Sequence, residues 1–311
     1  MSSPYQFHCI ASERTDVGMV RKINEDACVS RPDIGLWAVA DGMGGHSAGD
    51  LASGKIVAQL GDVTGHEKMS ALVAEVEARL MDVNDELRDI AAEQKLSTIG
   101  STVAALTIKG RFGMCMWVGD SRVYRVRNGE IEQLTQDHAF VEDLIEKGIL
   151  SREEAANHPQ SNLITRAVGA QDGLKLDLEI FELQNDDLFV LCSDGLDKEV
   201  TEAEIASVAT REDAVRLSDE LVELALSRGA RDNVTVITVN VKDANATDLG
   251  GNSKPPRRPG PEEQTRDIEA SHAHDDDDPT DFRRLARKAP SDRWLSDDEE
   301  ATIRRPDNGG S

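Results

Sequence analysis

Apolar residues along the chain occur in two patterns. Some form short runs, unbroken or alternating, bounded by glycine and polar turns; others recur three and four apart over longer stretches. The first pattern predicts strands and the second amphipathic helices. Leu36-Trp37-Ala38-Val39-Ala40, set between Gly35 and Gly42, predicts a buried strand. Tyr5 to Ser12, Ala27 to Val29, Gly100 to Ile108, Phe112 to Val118, Val123 to Val126, Ile131 to Leu134 and Val234 to Val239 predict others. Lys109-Gly110-Arg111 and Arg127-Asn128-Gly129-Glu130 separate neighbouring runs as hairpin turns. Asn-Gly suits such a turn because its central residues take positive φ. Leu174 to Leu183 alternates, so it predicts a half-buried strand, with Asp187 to Cys192 as its neighbour.

Helical spacing covers Ser47 to Leu60, where Leu51, Ile56, Val57 and Leu60 share a predicted face. It also covers Glu67 to Gln94, where Leu72, Val76, Leu80, Val83, Leu87 and Ile90 recur. Asp137-His138 opens a further helix through Phe140, Val141, Leu144 and Ile145, and Glu202 to Ala209 and Glu212 to Ser227 complete the set. Gly148 to Val168, punctuated by Pro159, Asn162 and Arg166, predicts an irregular, mobile surface segment. From about Ala244 proline, glycine and charge take over, which predicts a folded domain over 1–243 and a disordered acidic tail over 244–311. Thr265, Thr280 and Thr302 in that tail follow Glu262-Glu263, Asp277-Asp278 and Glu299-Glu300, with arginine a few residues later. These threonines read either as kinase targets or docking points, or as part of a solubilising tail.

Composition narrows the class. The 311 residues are 39% hydrophobic, enough for a sizeable core, and carry a formal net charge of -24. That balance excludes non-specific binding to nucleic acid or to an anionic membrane. Cys9, Cys28, Cys115 and Cys192 lie isolated in apolar surroundings with no CxxC pair, which predicts free thiols in a reducing compartment. The first residues lack the basic start and apolar core of a signal peptide, and no stretch approaches the ~18–20 apolar residues that span a bilayer. A soluble cytoplasmic protein is expected, monomeric by default.

The candidate chemistry lies where strands end. Asp41 leaves the strand Leu36 to Ala40 and enters Gly42-Met43-Gly44-Gly45-His46. Alone it reads equally as a helix cap or as an anion that, with glycine-freed carbonyls beside it, holds a hard cation. Asp120 and Asp194 also follow buried runs, and Asp232 precedes one. Carboxylates so placed predict convergence at one sheet edge, where their repulsion calls for cations. An all-oxygen site favours magnesium or manganese over zinc. Arg21, Asn24, Glu25 and Asp26 cluster at a loop-to-strand junction, as a surface salt-bridge group or as part of the same site.

Taken in order, Gly18-Met19-Val20-Arg21-Lys22-Ile23-Asn24-Glu25-Asp26, Asp41-Gly42-Met43-Gly44-Gly45-His46, Gly100-Ser101-Thr102, Val118-Gly119-Asp120-Ser121-Arg122, Leu134-Thr135-Gln136-Asp137-His138, Ser193-Asp194-Gly195 and Asp232-Asn233-Val234-Thr235 resemble the metal-dependent serine/threonine protein phosphatases (PPM, type 2C) in their short bacterial form. The resemblance runs from about Gln6 to Val241 and implies an α+β fold, two packed antiparallel β-sheets flanked by helices. It implies that Asp41 bridges two Mn2+ or Mg2+ ions and that the Gly42 carbonyl binds the second. Asp194 and Asp232 would complete the protein ligands of the first, and Glu25 would reach the second mainly through water. Arg21 would grip the substrate phosphate, as a guanidinium fork suits a dianion. Asp120 matches the position of a third, weaker metal, and Gly148 to Val168 matches a variable flap. The activity implied is hydrolysis of phosphoserine and phosphothreonine by a water that the cations activate, opposing a cognate Ser/Thr protein kinase on phosphorylated proteins. His46 is the candidate general acid, with His138 as a fallback whose competing reading is structural. The alternative function is a catalytically silent phosphoprotein-binding module of the same fold; it predicts lost ligands, and all the expected residues are present.

Overall fold

The computed structural model describes residues 7–44, 48–210 and 214–244. Its strands are β1 (Phe7–Asp16), β2 (Asp26–Arg31), β3 (Leu36–Met43), β4 (Gly100–Ser101), β5 (Val103–Lys109), β6 (Phe112–Val118), β7 (Arg122–Arg127), β8 (Glu130–Gln133), β9 (Asp177–Glu182), β10 (Leu188–Cys192) and β11 (Val234–Asp243). Its helices are α1 (Ala48–Gly61), α2 (Met69–Gln94), α3 (Phe140–Glu146), α4 (Arg152–Ala156), α5 (Asp194–Asp197), α6 (Glu202–Ala209) and α7 (Leu217–Ser227). The expected tail, 244–311, lies outside the described residues apart from Ala244.

The strands form two antiparallel sheets. One has the order β1-β11-β10-β7-β8; the other runs β2-β3-β5-β6-β9, with β4 added beside β3. The unbroken apolar runs are the strands buried on both faces. In β10, Phe189 and Leu191 point into the core between the sheets, where they join Trp37, Val39, Leu106, Ile237 and Val239. Leu188, Val190 and Cys192 point the other way, into a second core with Ile205, Leu221 and Val222 of α6 and α7. Full burial of such a side chain contributes about 1.5–3 kcal/mol, so both layers hold the sheet in place. On the opposite outer face α1 packs against β2 and β3, and α2 against α1 and β5. The α+β sandwich expected from the resemblance is therefore the observed architecture.

Three local expectations are corrected. β9 and β10 are not neighbours: β9 pairs with β6 at the edge of one sheet, and β10 lies inside the other, between β7 and β11. The chain crosses between sheets at Leu183 to Asp187, where Leu183 N donates to the Arg111 carbonyl at 2.9 Å and Arg127 Nε reaches the buried Asp187 carboxylate at 2.6 Å. The buried face of α1 is Ala48, Gly49, Ala52, Ser53, Ile56 and Leu60, while Leu51 is exposed and Val57 half-buried. Small residues face the sheet because α1 lies close to β2 and β3. Finally, the segment after α3 is more ordered than its punctuation predicts. It contains α4 with a Ser151–Glu154 capping box, and bridges pair Ile164 with Ala139 and Val168 with Ser101.

Candidate metal and phosphate site

Asp41 lies within β3, which runs on to Met43 rather than ending at Ala40 as the sequence suggests, and its backbone is fixed on both sides. Its N–H donates to Thr102 Oγ1 at 3.1 Å, and its carbonyl accepts from Thr102 N at 2.8 Å and Ser101 Oγ at 2.9 Å. Thr102 Oγ1 also lies 2.6 Å from Ser121 Oγ, next to Asp120, so the Gly100-Ser101-Thr102 stretch ties the ends of β3 and β6 together. Across the β2–β3 ladder Asp26 is directly opposite Asp41. Ser193, at the exit of β10, donates from Oγ to Asp26 Oδ2 at 2.7 Å and accepts from Thr235 N at 3.0 Å. Asp194 then opens α5, and Asp232 precedes β11.

Asn233 binds the remaining loop to this edge. Its Nδ2 donates to the carbonyls of Val17 at 2.9 Å and Ile23 at 3.0 Å, and its Oδ1 accepts from Glu25 N at 2.8 Å. Gly18, at φ +78°, passes so close that a Cβ there would stand 2.1 Å from the Asp232 carbonyl oxygen. The loop holding Arg21 and Glu25 is thereby laid against Asp232, and Arg21 Nη2 donates to the Asp232 carboxylate at 3.0 Å. Lys198 extends from the end of α5 to pair with Asp194 and lies 3.8 Å from Asp232.

These carboxyls act on one another electrostatically. Burial, and then the charges of Asp26, Asp194, Asp120 and Asp232, raise the Asp41 pKa well above the ordinary range. Burial also pushes Asp26 up to about 7, with Asp194 and Asp232 adding to it against hydrogen bonds from Ser193 and Thr235. Asp120 rises to about 7 through burial and then the charges of Asp194 and Asp137. Asp26 Oδ1, Asp120 Oδ1 and Asp194 Oδ1 are buried without a hydrogen-bond partner. Orphaned buried acceptors are costly unless a cation or a donor meets them.

A second set of oxygens faces the start of α1. A Cβ on Gly49 would stand 2.5 Å from Glu25 Oε1 and 2.7 Å from the Gly42 carbonyl oxygen, so both aim at space that only glycine leaves open. Every donor named is oxygen, and the set fits hard divalent cations such as Mg2+ or Mn2+. Among the described residues no group of three or more Asp, Glu, His or Cys side chains already closes around an ion. The fit rests instead on the orphaned carboxylate oxygens, Glu25 and the Gly42 carbonyl.

Most of the sequence-derived residues meet at this edge: Arg21, Glu25, Asp41, Gly42, Asp120, Asp194 and Asp232. His46 lies outside the described residues. His138 is structural: Nδ1 accepts from Gly119 N at 3.0 Å, Nε2 lies 2.9 Å from Asp177 Oδ2, and the ring stacks on Trp117. Sequence reasoning gave no individual role to Lys198 or Asn233, and placed Asp26 only in a cluster that reads equally as a surface salt-bridge group. Asp26 opens β2, buried and directly opposite Asp41, a pairing that its neighbours in sequence do not reveal.

Two antiparallel sheets sandwiched between helices, with oxygen donors gathered at one edge, define the class of metal-dependent protein phosphatases. The chain belongs to the protein phosphatase 2C family, whose profile matches residues 20–235. It is 37% identical over 232 residues to the serine/threonine protein phosphatase PstP of Mycobacterium tuberculosis, covering 74% of this chain and 44% of that protein. The chain thus matches less than half the length of that relative. It is similar to the structure of PppA, a key regulatory component of T6SS in Pseudomonas aeruginosa, with 38% identity, a TM-score of 0.71, and coverage of 75% of this chain and 98% of that one. It is also similar to the PstP catalytic domain in complex with two manganese ions, with 33% identity, a TM-score of 0.69, and coverage of 76% and 100%.

Proposed function

We propose that this chain is a protein serine/threonine phosphatase that uses two Mn2+ or Mg2+ ions and opposes a Ser/Thr protein kinase. The observation that carries the reading is the cluster of Asp41, Asp194 and Asp232 carboxylates at one edge, with the Arg21 guanidinium bound to it. Family membership and the manganese complex of the PstP catalytic domain support it.

In this reading Asp41, Asp194 and Asp232 would hold one ion, and Asp41 with Glu25 and the Gly42 carbonyl would hold the other; Asp120 would serve a third. Such ions, when bound, lower the pKa of a shared water enough to supply a nucleophile near neutral pH. The protein's own part is positional and electrostatic. Asn233 and Gly18 hold the Arg21 loop against Asp232, so the guanidinium stands where phosphoryl oxygens gather charge in an in-line displacement. Ser101 and Thr102 fix the Asp41 backbone, keeping its carboxylate at the edge. We assign protonation of the leaving alkoxide to His46.

The phosphatase acts as a monomer on phosphorylated proteins. A reducing compartment, the cytoplasm, suits its unpaired cysteines, and no helix among the described residues is long and apolar enough to cross a membrane. The test is manganese-dependent release of phosphate from a phosphothreonine peptide. Asp41→Asn and Asp194→Asn should each reduce kcat by at least about 100-fold, as expected for loss of a metal ligand. Full activity of the wild type in excess chelator would overturn the reading.

A further inference from the structure

Beside the carboxylate edge lies a cavity of about 370 Å3 whose lining differs in sign from the rest of the molecule. The chain as a whole has a formal net charge of -24, yet Arg21, Lys198 and Arg231 all border this cavity, with Glu199 and Asp232 opposing them. Asp232 is already engaged by Arg21 and faced by Lys198. Arg231 is exposed, and its guanidinium makes no ion pair or hydrogen bond among the described residues. Among the described residues the pocket therefore holds an unpaired guanidinium and shares its lining with Arg21, the proposed phosphate ligand.

We infer that this pocket, through Arg231, reads an acidic pair preceding the phosphorylated threonine of the substrate. The inference rests on the phosphatase reading and adds to it the substrate class. In an extended peptide, residues two and three before the phosphothreonine lie roughly 7–10 Å from it. That reach suits a pocket sharing Arg21 and Asp232 with the phosphate position. Elsewhere the molecule's own charge repels an acidic segment, so a local positive pocket selects as well as attracts. The chain itself carries the matching pattern three times: Glu262-Glu263, Asp277-Asp278 and Glu299-Glu300 stand three and two positions before Thr265, Thr280 and Thr302. Those sequences supply the probe.

The test compares two phosphothreonine peptides on the manganese-loaded full-length protein. One has the sequence of residues 261–268 with phosphate on Thr265; the other carries Gln in place of Glu262 and Glu263. The expected kcat/KM is about five-fold higher for the acidic peptide, as for a single well-placed rim charge. The ratio should fall to about one in Arg231→Gln and reverse in Arg231→Glu, while turnover of p-nitrophenyl phosphate, which has no flanking residues, stays at the wild-type level. Raising salt should compress the wild-type ratio, because the contact is solvent-facing. A wild-type ratio of one, or a preference unchanged by Arg231→Glu, overturns the inference while leaving the phosphatase reading intact. Fluorescence anisotropy with labelled versions of both peptides separates the opposite failure: acid-selective binding lost in Arg231→Glu, with no hydrolysis of either peptide, sustains the pocket and sinks the phosphatase.

Discussion

Asn233 is a residue whose side-chain amide is used almost completely, on two carbonyls and one N–H of a single loop. Replacing it by alanine strands the Val17 and Ile23 carbonyls and the Glu25 N–H in a half-buried place, at a cost of about 1–3 kcal/mol. Asn233→Ala should therefore lower the thermal midpoint and raise KM for phosphopeptide more than it lowers kcat, since Arg21 and Glu25 ride on the freed loop. An unchanged KM would show that the loop keeps its position without the clamp. Gly49 tests the oxygens on the other side. Gly→Ala inside a helix normally gains about 0.5–1 kcal/mol, but here the new Cβ enters the space between Glu25 Oε1 and the Gly42 carbonyl. Gly49→Ala should weaken Mn2+ binding measured by calorimetry at least about ten-fold; wild-type affinity would remove Glu25 and Gly42 from the metal site. At this scale the sequence was informative about which carboxylates end at the same edge and silent about what orients them. Asp41, Asp194 and Asp232 stand out because each borders an apolar run at a turn. Asn233 and Asp26 look like ordinary turn and surface residues until burial and partners are known.

Among the elements, strands were legible where hydrophobicity was local and partners were not. Alternation along β9 marks one wet face, and the continuous run of β10 marks two dry ones, yet neither pattern says which sheet a strand joins. Succession in the chain suggested pairing, and the Leu183 to Asp187 crossover defeats that guess. The face of α1 was misread for a related reason: its contact is made by Gly49, Ala52 and Ser53, whose small size permits close approach but carries no apolar signal. Gly148 to Val168 reads as mobile because punctuation is all the sequence shows there. Its anchor is long-range. Arg166 Nη2 reaches Asp177 Oδ2 at 2.6 Å, and His138 meets the same oxygen at 2.9 Å. Burial opposes ionisation of Asp177, but hydrogen bonds from His138 and Arg166 outweigh it and hold the carboxyl below its usual pKa. A carboxyl depressed in the folded state stabilises fully above its unfolded pKa, near 3.9, and that contribution fades as pH falls toward the folded value. Asp177→Asn should thus melt below wild type at pH 6, with the gap closing as pH is lowered from about 4 toward 2. A gap that is constant with pH would assign the loss to packing rather than to charge.

At the scale of the whole molecule, the first and last described strands meet. β11 reaches Asp243, which pairs with Phe7 at the start of β1, so the first and last described strands complete one sheet together. Among the described residues the two cores that flank β10 draw on side chains up to Val241, and the carboxylates at the site edge lie before β11. The family profile likewise ends at residue 235. The layers and the donor set just described are thus complete in kind within residues 7–244, which leads us to expect that the acidic segment after Ala244 is dispensable for both. A protein ending at Ala244 should therefore fold with a thermal midpoint within a few degrees of the full chain, roughly the effect of under 1 kcal/mol in a domain of this size. Its manganese-dependent turnover of p-nitrophenyl phosphate should match the full chain within about two-fold, well under 1 kcal/mol in activation free energy. Turnover of an acidic phosphopeptide added in trans separates two roles for the removed segment. If the segment engages the Arg231 pocket in cis, the shortened protein gains affinity for the added peptide, seen as a lower KM at unchanged kcat. If it acts only as a solvated extension, KM is the same in both proteins. Loss of p-nitrophenyl phosphate turnover on shortening would contradict the boundary itself and place part of the machinery beyond Ala244.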